Sequence, residues 1–388
     1  MAVSIYSLIR IDSVQPMQQT SFILFAPTGA FTARLRCSLI RPWRRCLWTL
    51  IFLFLSLIVP AKTDADSTDT VHYRQHNRTL QTKGTVIEFN REGLTIGATN
   101  GQKRVIPAEA VIRIESQRTP AQRAARLATK AGQFAKAASS YYRLLESGVE
   151  DRNWVQSEIL SELVLALRAD RKYYRASKAF LQLLRKDPRT PYLRSMPLIW
   201  AGGFTPSPQA EATALTWMKN QNPATQLLGS SLLLGTQKSQ EAERVLLNLA
   251  ESSKPPINAL ARAQWLRTQL PHVSEEKIRY CQQAVEQLPL SLQGGPYYIL
   301  SRLYAGAGEN RKAAVAAMRV AILNEDNPNL AAEALLAAGK ASMKAKLPAE
   351  AEQIYTELIN TYPQSTAAAD AKQKKAAIDA APANDDHT

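Results

Sequence analysis

The chain has 388 residues, of which 45% are hydrophobic and 21% are charged, and its formal net charge is +15. This apolar fraction excludes disorder throughout, and the length predicts two or three domains or one long array of repeats. Four histidines and three cysteines, two of them (Cys37 and Cys46) near the N-terminus, exclude a disulfide framework and a cysteine-based zinc site from the rest of the chain.

The positive charge is concentrated in two parts of the chain. Residues 1–62 carry seven Lys or Arg and one acid, and residues 117–189 carry fifteen bases and seven acids. Residues 63–116 are balanced, and the remainder after residue 189 carries only one excess base. The high pI therefore has two separate causes, a targeting segment and one basic stretch of predicted helices.

An apolar run, Leu47–Val59, follows Arg44 and Arg45 and precedes a polar stretch that begins at Lys62. As a helix, this run spans about 20 Å, which is shorter than the roughly 30 Å hydrocarbon core of a bilayer. A positive flank, a short apolar core and a polar stretch follow one another in a secretory signal peptide. Residues 1–62 therefore predict export to the periplasm or cell envelope, with the segment either cleaved or kept as the only membrane anchor.

After a polar linker over residues 63–82, the hydrophobic period changes to two. Asn100-Gly101 is a strong hairpin signal, because both residues tolerate a positive φ. Residues rich in β-branched and aromatic side chains predict four strands, at Gly84–Phe89, Leu94–Ile96, Gln102–Ile106 and Val111–Glu115. Residues 83–116 thus predict a small β meander, similar in outline to an SH3-like barrel. It either packs against the following helices or contacts a peptide or glycan.

From residue 117 onward the period is helical, and short blocks of residues recur. Two blocks share intervals of four, three and five residues, and they are Ala176, Phe180, Leu183, Pro188 and Ala351, Tyr355, Leu358, Pro363. Partial copies of the same block begin at Ala137 (with Tyr141), Ala242 and Ala313. The two complete blocks are 175 residues apart, which leaves room for five repeats of 35 residues.

This pattern resembles the tetratricopeptide repeat (TPR) family, in which each repeat is a helical hairpin. In that family a small residue lies where two helices touch, an aromatic residue follows four positions later, and a proline closes the turn. The matching positions are Ala137, Tyr141, Ala176, Phe180, Pro188, Ala313, Ala351, Tyr355 and Pro363. The last block is similar to repeats of exported bacterial envelope proteins, of the outer-membrane assembly lipoprotein and Tol–Pal coordinator type.

The resemblance implies a mainly α fold, a TPR-like solenoid of hairpins over residues 117–190 and 224–380. Each hairpin leaves an apolar face that only the next hairpin covers. The insert at residues 191–223 contains several prolines and a Gly-Gly pair, so we expect a hinge or a lateral loop there. The polar residues 381–388 predict a disordered tail.

No catalytic or cofactor site is predicted. The sequence contains no P-loop, no glycine-rich dinucleotide motif and no H-E-x-x-H motif. His72 and His76 are four residues apart in the linker, and this spacing suits a metal only on a helix. Cys281 lies between apolar neighbours of a predicted helix, so we expect a buried, unreactive thiol. We therefore expect a protein that is not an enzyme and that holds no cofactor or metal.

The basic stretch is the strongest indication of a partner. The candidate partner-binding residues are Arg168, Arg171, Lys172, Arg175 and Lys178. Tyrosines interleave with them, and such a face suits an acidic peptide or an anionic envelope polymer. Nucleic acid fits the charge equally, but an exported protein seldom meets it. The alternative reading is an ordinary solvated helix face.

Together these patterns predict a non-catalytic exported scaffold that mediates protein–protein interaction in the cell envelope. The alternative is a module that binds an envelope glycan or anionic polymer through the β segment and the basic repeats.

Overall fold

The computed structural model describes residues 68–76, 78–98 and 101–380. The expected signal segment Leu47–Val59 and the expected tail lie outside the described residues. Within them, five strands precede fourteen α-helices, which confirms a mainly α chain with a small β module in front. No helix in these described ranges is long and apolar enough to cross a membrane.

The five strands form one antiparallel sheet in the order β4-β3-β2-β1-β5. Their bounds are β1 (Asp69–Gln75), β2 (Arg78–Phe89), β3 (Gly93–Gly97), β4 (Lys103–Pro107) and β5 (Val111–Glu115). The first part of β2 pairs with β1 and the rest pairs with β3, so this long strand joins both halves of the sheet. The four predicted strands and the β3–β4 hairpin, in which Gly101 has a φ of +80°, are confirmed.

The polar linker expected at residues 63–82 is wrong from Asp69 onward, because β1 and the start of β2 lie there. Val71 and Tyr73 are the only large apolar side chains of β1, so a period of two is hard to see in the sequence. Asp69 is buried beside them, and its Oδ2 accepts a 2.8 Å hydrogen bond from the Val86 N–H. A strand whose buried face includes a carboxylate has a polar sequence.

The sheet packs against the start of the helical part through one continuous hydrophobic cluster. The Phe89 and Tyr192 rings meet edge to face at 5.9 Å, and the Arg91 N–H donates a 2.6 Å hydrogen bond to the Arg189 carbonyl. These contacts fix the β module on the first helical hairpins.

The helices follow one another with short connections, and each packs mainly against its neighbours in the chain. Their bounds are α1 (Pro120–Lys130), α2 (Phe134–Ser147), α3 (Asn153–Ala169), α4 (Tyr173–Lys186), α5 (Pro208–Met218), α6 (Pro223–Leu233), α7 (Ser239–Ser252), α8 (Ile257–Leu266), α9 (Glu275–Glu286), α10 (Gly294–Gly306), α11 (Asn310–Leu323), α12 (Pro328–Lys344), α13 (Pro348–Thr361) and α14 (Thr366–Asp379). The even-numbered helices α6, α8, α10, α12 and α14 also contact one another in succession, so they form a continuous layer.

Five helices share both length and register. Helices α2, α4, α7, α11 and α13 each have fourteen residues. The fourth residue of each is a fully or almost fully buried alanine, and these residues are Ala137, Ala176, Ala242, Ala313 and Ala351. The rings of Tyr141, Phe180 and Tyr355 lie one turn later and are buried, whereas Pro188 and Pro363 are exposed just beyond the ends of α4 and α13. The repeated blocks therefore mark equivalent positions of successive hairpins.

The turns that lead into four of these helices are also equivalent. Each contains one residue with a positive φ, two positions before the next helix: Gly132 (+72°), Arg171 (+58°), Gly308 (+77°) and Lys346 (+61°). The N–H of the following residue donates to a carbonyl five residues earlier, as Leu347 does to Ser342 at 3.0 Å. This is the Schellman arrangement, which satisfies carbonyls at a helix C-terminus.

The insert at residues 191–223 is not a lateral loop. It contains α5, and its earlier part runs through the interior, where Ser195–Ile199 are all buried. The Ile199 N–H donates to Ser231 Oγ of α6 at 3.0 Å, and Gln264 Nε2 of α8 donates to the Ile199 carbonyl at 3.0 Å. Ser231 and Gln264 also bond to each other at 3.0 Å. Two helices thus satisfy the backbone of a segment that has no regular structure of its own.

The insert continues across the layer formed by the even-numbered helices α6 to α14. Trp200 lies so close to Gly295 of α10 that a Cβ there would overlap the indole ring. The Arg168 guanidinium at the end of α3 donates to the Arg194 carbonyl at 3.3 Å and pairs with Asp326 Oδ1 at 3.1 Å. Asp326 precedes α12, so the helical array returns on itself and encloses the insert.

Candidate functional site

The five candidate basic residues lie in four different places. Arg168 is buried, and its guanidinium is bound within the chain, so it is unavailable to a partner. Arg171 is exposed, occupies the positive-φ turn and lines a small cavity of about 160 Å³ beside Trp200. Lys172 is exposed just before α4. Only Arg175 and Lys178 belong to the outer face of α4, where Tyr174 also lies.

Other cations of the basic stretch are held in ion pairs. Arg118 is buried against the Trp154 ring and makes a bidentate contact with Glu158, at 2.9 and 3.1 Å. Arg126 reaches both Glu158, at 3.0 Å, and Glu162, with its Nε 2.6 Å from Oε1. The excess of positive charge in this stretch is therefore partly used to join α1 to α3.

Burial is the main reason that the pKa of Glu162 is raised above its ordinary value. The Glu158 carboxylate adds to this rise, and Arg126 and Gln122 work against it. Arg126 carries the complementary change, since its own pKa is raised by Glu162 and Glu158 in spite of burial. The network is a compact ion-pair cluster between α1 and α3, and its charges are paired within the chain.

One groove on the surface does contain the predicted Lys178, and we call it the aromatic groove. It has a volume of about 680 Å³ and lies between α4, α5 and the start of α6. The Tyr174 and Trp217 rings stack in it with centroids 5.9 Å apart and planes at 26°. Its other lining residues include Tyr142, Lys178, Gln182, Arg185, Thr213, Asn220 and Asn222.

The positions of the rings in the aromatic groove are fixed by contacts on both sides. The Tyr174 hydroxyl and Thr213 Oγ1 are 3.2 Å apart, in a hydrogen bond between α4 and α5. Lys178 Nζ lies 5.7 Å from the centroid of the Tyr174 ring. Burial raises the pKa of Tyr142, and the nearby Arg175 guanidinium opposes that rise.

A second groove, which we call the C-terminal groove, has a volume of about 780 Å³ and lies along α10, α12 and α14. Its floor is formed by small residues, among them Ala305, Ala337 and Ala341, with the exposed Met343 at one side. Four cations line it: Arg302, Lys340, Lys344 and Lys374. The groove therefore combines an open apolar floor with a positive rim.

The cations of the C-terminal groove differ in their partners. Lys340 Nζ lies 2.7 Å from Asp370 Oδ2, and this bond is the main reason that the pKa of Asp370 is lowered. Lys374 shares the same carboxylate at 3.7 Å. Within the described residues, no carboxylate forms an ion pair with Arg302 or Lys344. These two exposed cations are available to an anion from outside the chain.

Tyr355 also lines this groove. Tyr355 is fully buried, and within the described residues its hydroxyl oxygen has no hydrogen-bond partner. Burial raises its pKa to about 12, so the phenol is neutral and can donate a proton to a hydrogen bond. A buried hydroxyl without a partner is costly.

The prediction that His72 lies in a linker is wrong, and the prediction that Cys281 is buried is confirmed. His72 lies on β1, with its Nε2 3.4 Å from both Arg113 NH2 and Glu115 Oε1, and it is not a solvated linker residue. Cys281 is fully buried, and burial raises the pKa of its thiol to about 12, which confirms a buried, protonated side chain. The described residues contain no cluster of three or more His, Cys, Asp or Glu that could hold a metal ion.

No protein-family model matches this chain, and no curated protein matches it. The functional argument therefore rests on the two grooves themselves.

Sequence reasoning did not find the residues that complete either groove. Trp217 lies within the insert, and it meets Tyr174 only because α5 packs beside α4. Arg302 and Lys344 lie in a part of the chain whose net charge is nearly zero, so they do not stand out in the sequence. A helical wheel of α12 would have grouped Lys340 with Lys344, which are one turn apart.

Proposed function

We propose that the chain is an exported, non-catalytic scaffold of TPR-like hairpins, and that it binds a partner protein in the C-terminal groove. The occupant is an extended acidic segment or a chain terminus of that partner. The repeated register of the alanine-marked helices and the continuous layer of α6 to α14 support a solenoid of hairpins. Export is supported by the Leu47–Val59 pattern of the sequence.

The observation that carries the proposal is the pair of exposed cations, Arg302 and Lys344, above an apolar floor. A carboxylate in this groove gains charge-assisted hydrogen bonds from the two cations of the rim. Elsewhere in this layer the insert packs on α6, α8 and α10 through Ile199 and Trp200. The C-terminal groove is a part of the layer that is open to a peptide.

The test is affinity capture from an envelope fraction with the wild-type chain and with the double variant Arg302→Glu, Lys344→Glu. We expect the proteins retained specifically by the wild type to be lost by the variant, because reversed charges repel an acidic segment. Retention should also fall as salt rises, since ions screen exposed charges.

The matched control is Lys136→Glu with Arg143→Glu, which makes the same change of charge at two exposed positions of α2. The control should retain the wild-type partners. Equal retention by the groove variant and the wild type would contradict the proposal, provided that circular dichroism shows both to be folded.

A further inference from the structure

The aromatic groove is a built surface whose parts come from two distant stretches of the chain. Tyr174 lies on α4 and Trp217 lies on α5, and their rings stack with planes at 26°. The hydrogen bond between Tyr174 and Thr213 holds the two helices in this arrangement. Both rings are only half-buried, so part of their surface stays open to solvent.

The polar side chains around these rings are neutral or positively charged. Lys178 and Arg185 carry positive charge, and none of the described residues that line the groove is acidic. The side-chain Oδ1 of Asn222 caps α6 by accepting from the N–H groups of Ala224 and Thr225, at 2.9 and 3.3 Å. The oxygen of Asn220 accepts from the Asn222 N–H at 2.8 Å. Both amides therefore have their NH2 groups left to donate outward.

This combination suits a ligand that has three properties at once. Aromatic faces are electron-rich and attract the C–H groups on the flat side of a sugar ring. Lysine and arginine attract carboxylate or sulfate groups. The amide groups of Gln182, Asn220 and Asn222 match closely spaced hydroxyls. An acidic peptide would engage the cations but leave the stacked rings without a matching flat surface.

We propose that the aromatic groove is a second binding site, which takes an anionic glycan. A sugar ring packs against the exposed surface of the Tyr174–Trp217 pair, Lys178 and Arg185 pair with its acidic substituents, and the amides bind its hydroxyls. The volume of about 680 Å³ lies within the range of about 300–1,000 Å³ typical of small-ligand sites, so it accommodates a short oligosaccharide. This site lies on α4 and α5, so it is independent of the C-terminal groove and adds a different class of ligand.

The test is calorimetric titration of the full-length protein with two anionic probes, hexagalacturonate and a heparin hexasaccharide. Trp217→Ala should weaken binding about tenfold, which is the effect of losing one well-packed aromatic contact. Trp217→Phe should restore most of the affinity, because it keeps a flat ring. Lys178→Glu should weaken binding and reduce its dependence on salt.

Two control variants match these changes in parts of the chain outside the groove. Lys172→Glu makes the same charge change near the start of α4 but does not line the groove. Tyr280→Ala removes a half-buried ring from α9. Both should bind the probes like the wild type, and circular dichroism shows whether each variant is folded.

Several results would overturn the proposal. One is that neither anionic probe binds the wild type. Another is that Trp217→Ala, once shown to be folded, binds as the wild type does. Hexaglutamate bound as tightly as the glycans, through Lys178 but without Trp217, would instead identify a site for acidic peptides. Equal affinity for neutral maltohexaose would show that the cations play no part.

Discussion

At the scale of single residues, the charge cluster of α1 and α3 shows how much of a basic stretch serves the fold itself. Glu158 and Glu162 lie one turn apart and share the guanidinium of Arg126. Two carboxylates at this distance repel each other, and burial adds to the penalty for the charged form. The charged state of Glu162 is therefore less favourable in the folded chain than in the unfolded one.

This arrangement predicts a pH dependence of stability that is specific to Glu162. The folded pKa lies above the ordinary value of 4.5, so the folded state binds more protons than the unfolded state between these two values. Stability should therefore fall as the pH rises from about 4.5 through the raised pKa. Glu162→Gln removes the titrating carboxyl group, so the variant gains stability relative to the wild type as the pH rises.

Urea unfolding midpoints measured between pH 4 and 7.5 would show this difference. Glu146→Gln, at an exposed position of α2, is the control for loss of one negative charge. Parallel pH profiles for the wild type and Glu162→Gln would show that the Glu162 carboxylate is not penalised in the fold.

At the scale of elements, the repeated turns explain why the hairpins have a common geometry. Glycine adopts a positive φ without strain, whereas a residue with a Cβ pays about 1–2 kcal/mol in this region. Gly132 and Gly308 meet that requirement, but Arg171 and Lys346 occupy the same position with side chains. The turns at Arg171 and Lys346 are therefore held in this conformation by their hairpins, against the local preference of the residue.

Lys346→Gly should stabilise the protein by about 1 kcal/mol. Relief of the positive-φ strain favours the folded state, and the greater freedom of glycine in the unfolded chain offsets part of the gain. The converse variant, Gly308→Ala, should destabilise by a similar amount. Thermal melts of the two variants beside the wild type provide the measurement, and a lower melting temperature for Lys346→Gly would contradict the assigned turn.

Elements also show what the sequence could and could not predict. The alanine blocks were found because a close helix contact requires a small residue at one position, as at Ala176 and Ala351. Strand β1 was missed because only Val71 and Tyr73 mark its buried face. Lys178 was assigned to a binding surface, but the ring that completes the groove comes from Trp217, and no local pattern links the two.

At the scale of the whole molecule, the interior segment of the insert was the largest departure from expectation. Its prolines and glycines indicate irregular backbone, but they carry no information on whether that backbone is exposed. The groups that satisfy Ile199 are Ser231 and Gln264, 32 and 65 residues further along the chain. Burial of an irregular segment depends on such distant partners.

Gln264→Leu should loosen the insert. The substitution leaves the Ile199 carbonyl without its donor and Ser231 Oγ without its acceptor, and each buried unpaired group costs about 1–3 kcal/mol. Amide hydrogen exchange of Met196–Trp200 should accelerate more than exchange in α13, which lies away from the insert. Gln283→Leu, at an exposed position of α9, is the matched control. Unchanged exchange in the insert would show that the Gln264 side chain does not anchor it.

The contact between Arg168 and Asp326 also bears on the order in which the chain is made. The two residues are 158 positions apart, whereas in a simple linear array each repeat depends only on its neighbours and is stable once they have formed. A nascent chain that has emerged only as far as α11 contains Arg168 but lacks the carboxylate that neutralises it. Closing so long a loop is entropically unfavourable until later contacts repay it. The front hairpins therefore reach their final state only after the last hairpins are synthesised. A chain truncated before Asp326 is expected to be a substrate for proteolysis and not a shorter working scaffold.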